Sequence, residues 1–162
     1  MTDLSKSFAP ILGNDPRVLI LGTLPSKVSL EKQQYYGHPQ NKFWPIIYRL
    51  FDGVMAEDYK ERVKFAKTQH ITIWDVCYAA VRPGSLDADI SREKPNHIKE
   101  LLEEYPSISL VAFNGKKAEQ LYFKYFDRQV HLRYITLLST SPANAAYSFE
   151  QKLEDWKQIR LL

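Results

Sequence analysis

The run Arg17-Val18-Leu19-Ile20-Leu21, closed by Gly22-Thr23-Leu24-Pro25-Ser26, decides how this chain folds. An unbroken β-branched and leucine stretch that ends in a Gly/Pro turn reads as a strand buried on both faces. Similar runs recur at Ile71-Thr72-Ile73-Trp74, Ser109-Leu110-Val111-Ala112-Phe113 and Tyr134-Ile135-Thr136-Leu137-Leu138. Between them apolar residues return at helical spacing: Phe43, Ile47, Leu50 and Phe51; Tyr59, Val63 and Ala66; Ile98, Leu101 and Leu102; Ala118, Leu121, Tyr122 and Tyr125. A last such segment runs from about Phe149, with Leu153, Trp156 and Ile159 on one face. Strands that alternate with helices need crossovers that return the chain to the same end of a sheet. The expectation is therefore an α/β fold, a three-layer α/β/α sandwich around a central four-stranded parallel sheet. With 162 residues, of which 44% are hydrophobic, the chain suits a single domain over 1–162. No repeats, linkers or low-complexity tracts stand out, and the first dozen residues read as loosely held.

In such a sheet the ligand crevice opens beyond the carboxyl ends of the strands. The segments expected there are Gly22 to Ser26, Asp75-Val76, Asn114-Gly115-Lys116-Lys117 and Ser139-Thr140-Ser141-Pro142-Ala143-Asn144. Just after the first of them comes Gln34-Tyr35-Tyr36-Gly37-His38-Pro39-Gln40-Asn41-Lys42-Phe43-Trp44. A tight turn, aromatics, an imidazole and an amide make up a pocket for a flat polar ring. The same residues also serve as packing aromatics, with Asn41 as a cap of the following helix. Asn114 to Lys117 opens a helix whose free N–H groups, dipole and ammonium groups attract a phosphate, or else forms a plain turn with solvated lysines. Ser139 to Pro142 offers hydroxyls and N–H groups to a phosphodiester, or is an ordinary Ser/Pro loop.

Several function classes fall away. A formal charge of +3 permits contact with a polyanion but falls short of a dense basic stripe. No apolar run approaches the roughly 20 residues that span a bilayer, and the first residues lack the zones of a signal peptide, so a soluble cytoplasmic protein with no membrane partner is expected. The lone cysteine, Cys77, allows no intramolecular disulfide or four-thiolate cluster and reads as a small buried apolar residue. His38, His70, His97 and His131 lack metal-ligand spacing, so no metal is expected. Neither the Gly-x-Gly-x-x-Gly nor the Walker pattern is present, which leaves no expected nucleotide cofactor. There is no Gly-x-Ser-x-Gly elbow for acyl chemistry. Asp87 with Asp89 or Asp75 is the one candidate carboxylate pair, although Asp87 and Asp89 read more simply as a solvated loop or a helix cap.

Taken in order, Gly22 to Ser26, the His38-Pro39-Gln40-Asn41-Lys42-Phe43-Trp44 segment, Trp74-Asp75-Val76, Gly84-Ser85-Leu86-Asp87, Phe113-Asn114-Gly115-Lys116 and Ser139 to Asn144 resemble the uracil-DNA glycosylase superfamily. Within it they are most similar to the hypoxanthine-DNA (deoxyinosine) glycosylase branch, related to the mismatch-specific uracil glycosylases. The resemblance covers the chain from about residue 17 to the C-terminal helix. It implies the same α/β/α sandwich, and hydrolysis of an N-glycosidic bond in DNA containing a deaminated base, with no metal or cofactor and with the target nucleotide flipped out of the duplex. A monomer is the simplest form for an enzyme that encloses a nucleotide.

The resemblance also assigns residues. Mismatch-specific relatives position the attacking water with an Asn in the first motif, where this chain has Leu24, which cannot do so. The amide of the His-Pro-x-Asn segment is the catalytic candidate of the hypoxanthine branch, which points to Asn41. Tyr36 maps to the ring that stacks on the base. His38 either stabilises charge on the leaving base or hydrogen-bonds within its loop, and Gly22, Thr23 and Leu24 border the base. Ser26, Asn114, Lys116, Ser139, Ser141 and Asn144 are the expected DNA-backbone contacts. Relatives insert a bulky wedge from the last loop, whereas Ala143, Asn144 and Ala145 are small here; Tyr147 either substitutes or belongs to the core. Two other readings stand beside this one: a non-catalytic recognition module for damaged DNA, motivated by Leu24, and a hydrolase of nucleosides or other sugar conjugates.

Overall fold

The computed structural model describes residues 4–81 and 90–160; the Gly84 to Asp87 motif, Asp87 and Asp89 lie outside the described residues. In chain order the elements are β1 (Leu4–Lys6), β2 (Val18–Gly22), α1 (Lys27–Lys32), α2 (Phe43–Leu50), α3 (Tyr59–Thr68), β3 (Ile71–Asp75), β4 (Cys77–Val81), β5 (Ser91–Pro95), α4 (Ile98–Glu104), β6 (Leu110–Asn114), α5 (Lys116–Tyr125), β7 (Arg133–Leu137) and α6 (Phe149–Trp156), followed by a 3-10 turn at Lys157–Ile159.

Strands β3, β2, β6 and β7 lie in that order in one four-stranded sheet, and every neighbouring pair is parallel. The α/β sandwich expected from the strand–helix alternation is thus the observed architecture. Side chains alternate across the sheet with period two. Val18, Ile20, Ile71, Ile73 and Ala112 face one core with Phe43, Trp44 and Ile47 of α2, Ala66 of α3 and Trp156 of α6. Leu19, Leu21, Val111 and Phe113 face the other with Ile98 and Leu102 of α4 and Leu121 and Tyr122 of α5. Cys77 is buried in this second core, as its composition implied.

Two features differ from the sequence reading. First, β1, β4 and β5 form a separate three-stranded antiparallel sheet. Its strands carried no clear signal: β5 is the polar Ser91-Arg92-Glu93-Lys94-Pro95, and β4 follows β3 after Val76 alone. Second, the described part of the first dozen residues is tied down rather than loose. Strand β1 pairs with β4, Ile11 and Ile73 exchange two backbone hydrogen bonds of 2.9 Å, and Trp74 Nε1 donates to Phe8 O at 3.0 Å. The bridge at Ile11 covers the outer edge of β3, which would otherwise present unpaired N–H and C=O groups. Helix α1 likewise carries no sequence signal, because Ser29 is its one buried residue and no apolar period marks it.

The register brings the site together. Gly22 pairs with Asp75, and Asn114 with Leu137, so the carboxyl ends of all four parallel strands finish at one level. Val76 N donates to Gly22 O at 2.8 Å, Cys77 N to Thr23 O at 3.1 Å, and Gly115 N to Leu137 O at 3.0 Å, which carries the pairing into the loops themselves.

Candidate active site

A cleft of about 620 Å³ opens beyond those strand ends. Gly22, Thr23, Leu24, Ser26, Tyr36, Asn41, Asn114, Lys116, Ser139, Ser141 and Asn144 all line it. His38 does not; it lines an adjoining groove, of which Tyr36 and Asn41 are also walls. Its Nδ1 accepts from Gln40 N at 3.0 Å, so the ring serves its own loop and a neutral imidazole carries its proton on Nε2. Among the described residues, no group of three His, Cys, Asp or Glu side chains gathers to hold a metal ion.

Asn41 is placed by a local turn. Its Oδ1 accepts from Phe43 N at 2.9 Å, its N–H donates to His38 O at 2.9 Å, and the next N–H, that of Lys42, donates to Thr140 O at 3.0 Å. The amide that starts α2 is therefore fixed against the last loop. The helix behind it is rigid for a packing reason: Phe43 and Trp44 are buried, and Trp44 Nε1 donates to Tyr35 O at 2.9 Å.

Tyr36 adopts a left-handed backbone, φ 54°, which turns its ring back onto Phe43 at a centroid distance of 4.0 Å and 23° between planes. One ring face is therefore covered, which leaves the opposite one for any ligand of the cleft. A Cβ added at Gly22 would lie 2.9 Å from the Tyr36 hydroxyl and 2.7 Å from Asp75 Oδ1. Glycine is what lets a phenol and a carboxylate close on the floor of the cleft.

Asp75 joins the site from outside the residues assigned by the motifs. It is 3% exposed, lines the cleft at the end of β3, and its backbone carbonyl accepts from the buried Asn96 Nδ2 at 2.8 Å. A carboxylate that ends the apolar run Ile71-Thr72-Ile73-Trp74 is the available signal. Tyr35, whose hydroxyl donates to Ala9 O at 2.9 Å, has its pKa pushed far above the usual phenol range by burial first and the Asp75 charge second. It stays a neutral donor.

The amide of Asn114 is engaged at both ends by Thr140: Nδ2 donates to Thr140 Oγ1 at 2.9 Å, and Thr140 N donates to Asn114 Oδ1 at 3.0 Å. That side chain positions the last loop. Gly115, at φ 94°, turns the chain so that Lys116 opens α5 at the cleft rim. A Cβ there would come 3.2 Å from Ser139 Cβ.

The loop from Ser139 holds its own shape. Ser139 Oγ accepts from Ser141 N at 3.2 Å, Ser141 Oγ from Ala143 N at 3.2 Å, and Asn144 Nδ2 donates to Ser139 O at 3.1 Å. Both serine oxygens act as acceptors inside the loop, and each retains a hydroxyl proton to donate to a ligand. Ser26 is the N-cap of α1, accepting from Ser29 N at 3.2 Å. Leu24 packs in the second core while bordering the cleft. Tyr147 is 44% exposed and lines the cleft, so it does not belong to the core.

The family model "Uracil DNA glycosylase superfamily" matches residues 10–160. A protein of Methanosarcina barkeri named hypoxanthine DNA glycosylase is 35% identical over 158 residues, covering 94% of this chain and 96% of the relative. One of the same name from Methanosarcina acetivorans is 34% identical over 157 residues, covering 96% and 98%. The solution NMR structure of a candidate uracil DNA glycosylase from Methanosarcina acetivorans superposes with a TM-score of 0.77 at 32% identity, covering 97% of this chain and 99% of that one.

Proposed function

Because the chain belongs to the uracil DNA glycosylase superfamily, we propose that it removes a deaminated base from DNA, hypoxanthine first and uracil second, by hydrolysing the N-glycosidic bond and leaving the strand intact. It acts as a monomer in base-excision repair. The observation that carries this reading is the placement of Asn41, whose side-chain oxygen is held by Phe43 N and whose neighbouring Lys42 N–H is tied to Thr140 O, on the wall of a cleft that also holds Tyr36 and Asp75.

A mispaired hypoxanthine costs less to extrude than a paired base, which is a first source of selectivity. At about 620 Å³ the cleft is of ligand-binding size. The open face of Tyr36 stacks on the base. One lone pair of Asn41 Oδ1 is taken by Phe43 N–H, and the second orients a water towards C1′ of the sugar. As the C1′–N bond breaks, its electron pair leaves with the base while donors of the cleft wall stabilise the departing charge; the water oxygen bonds to C1′ and gives up one proton, which the base anion takes as it leaves. Lys116, Ser139, Ser141 and Asn144 at the rim hold the strand by its phosphates.

Asp75 supplies an acceptor on the cleft floor. Hypoxanthine presents N1–H there and uracil N3–H, whereas adenine presents an unprotonated N1 that a carboxylate repels. Substituting Asp75→Asn is expected to lower kcat/KM for hypoxanthine by about 10- to 100-fold, the cost of a hydrogen bond to a charged group. Steady-state kinetics on hypoxanthine and uracil duplexes check this, and unchanged rates on both would remove Asp75 from recognition.

The function itself is tested by incubating the protein with a duplex carrying one hypoxanthine and separating free base by chromatography. Release of hypoxanthine is the expected result. Leu24, standing where mismatch-specific relatives carry an amide, favours a second reading, a recognition module without catalysis; tight binding to the same duplex with no free base would support it.

A further inference from the structure

The groove that adjoins the cleft is not used by the base. Tyr36 and Asn41 line both, so one wall of two side chains separates them, and the groove is of similar size at about 620 Å³. Beyond that wall it is lined by Lys32, from the last turn of α1, and by Arg62 of α3. Two elements far apart in sequence each bring a cation to one surface.

Neither cation is matched by a carboxylate. Lys32 Nζ donates to Gly37 O at 2.9 Å and Arg62 Nε to Ala56 O at 2.6 Å, both uncharged carbonyls. That leaves two N–H donors on the ammonium and four on the guanidinium. No ion pair among the described residues includes either side chain. His38 adds a donor rather than an acceptor, because its Nδ1 is taken by Gln40 N. Glu57, which is exposed, is the one carboxylate of the lining, against two permanent positive charges.

The apolar part of the groove is Met55, 42% exposed although its loop is anchored. Gly53 N donates to Tyr48 O at 2.9 Å, Tyr48 stacks on Phe65 at a centroid distance of 4.2 Å, and Arg62 itself holds Ala56. An exposed thioether fixed beside guanidinium and ammonium groups suits a ligand with one anionic and one apolar edge, and a sugar–phosphate has both.

We propose that the groove seats the sugar–phosphate next to the flipped nucleotide on the same strand, its phosphate on Arg62 and Lys32 and its deoxyribose against Met55, a proposal that rests on the glycosylase reading above. A strand whose nucleotide fills the cleft leaves it over Tyr36 and Asn41 and meets the groove. Holding the strand there fixes the reacting sugar against Asn41.

Equilibrium binding to a hypoxanthine duplex at 50 and 200 mM salt tests this with changes of opposite sign. Both Met55 and Glu57 are exposed, so their substitution spares the fold. Met55→Glu, which adds a negative charge, should weaken binding about two- to fivefold at 50 mM salt, and Glu57→Gln should tighten it by a similar factor, the size of one exposed charge interaction. Both shifts should shrink at 200 mM. Arg62→Met should lower the slope of log Kobs against log salt by about 0.9, the contribution of one phosphate, and Arg62→Lys should keep it. Ending the strand beside the hypoxanthine nucleotide, on its 5′ side in one duplex and its 3′ side in another, should weaken wild-type binding. In Arg62→Met one of the two truncations should cost nothing further. An unchanged Kd in either charge variant, or both truncations costing Arg62→Met as much as the wild type, would overturn the groove. The expected shifts in a protein that releases no base would refute the glycosylase reading alone, and failure of the wild type to bind the duplex would refute both.

Discussion

Asn41→Ala is expected to lower the single-turnover rate of base release by about 10²- to 10³-fold, the range seen when a group acting on the transition state is removed. That corresponds to about 2.7–4 kcal/mol. The same side chain also holds the first N–H of α2, that of Phe43, at 2.9 Å. Losing such a cap costs about 1 kcal/mol, or roughly 2–4 °C in Tm for a chain of this size. The two roles thus separate in magnitude, because a cap alone cannot account for the rate. They separate again in Asn41→Asp, which keeps an acceptor for Phe43 N and a second one for water. This variant should unfold at the wild-type temperature and show a rate between those of wild type and Asn41→Ala. A lower Tm with an unchanged rate in Asn41→Ala would reduce Asn41 to a cap.

Gly22→Ala should damage both fold and site. The added methyl carbon would stand 2.7 Å from Asp75 Oδ1 and 2.9 Å from the Tyr36 hydroxyl, closer than a real Cβ approaches other atoms. Neither neighbour has an easy retreat: Asp75 is buried in the residue pair opposite Gly22, and Tyr36 is stacked on Phe43. Overpacking of this kind costs about 1–3 kcal/mol. The displaced ring or carboxylate must move into the cleft, so base release should fall at least about tenfold, with the loss concentrated in kcat/KM. Thermal unfolding and kinetics on the hypoxanthine duplex check both parts. Tyr36→Phe in the Gly22→Ala background should recover part of the stability, since it removes the hydroxyl that stands 2.9 Å from the added carbon. Wild-type kinetics in Gly22→Ala would show that Tyr36 and Asp75 do not confine the base.

The parallel sheet was legible because its strands are buried on both faces and so read as unbroken apolar runs; Val18 to Leu21 and Leu110 to Phe113 could hardly be anything else. The antiparallel sheet was not, because β5 is polar and β4 is separated from β3 by Val76 alone. Its pairing depends on long-range register that no local pattern announces. The same division runs through the site. Turn chemistry marked Gly22 to Ser26 and Ser139 to Asn144 as cleft segments, and a strand-end rule placed them together. The orientation of single side chains was hidden: the Asn114 amide is spent on Thr140, the His38 ring accepts from its own loop and lines the adjoining groove, and Phe43 covers one face of Tyr36. Asp75 matters through what surrounds it, the Asn96 amide on its backbone carbonyl and the Tyr36 hydroxyl across Gly22, which only the packed strands bring together.

One experiment tests the glycosylase assignment most directly. Duplex oligonucleotides carrying a single hypoxanthine, uracil or xanthine are incubated with the purified protein in EDTA, abasic sites are cleaved with alkali, and Asn41→Ala is run beside the wild type. Cleavage that is fastest at hypoxanthine, undiminished by EDTA and lost in Asn41→Ala is the expected result. Strand scission at none of the three bases, under conditions where the protein binds the hypoxanthine duplex, would contradict it.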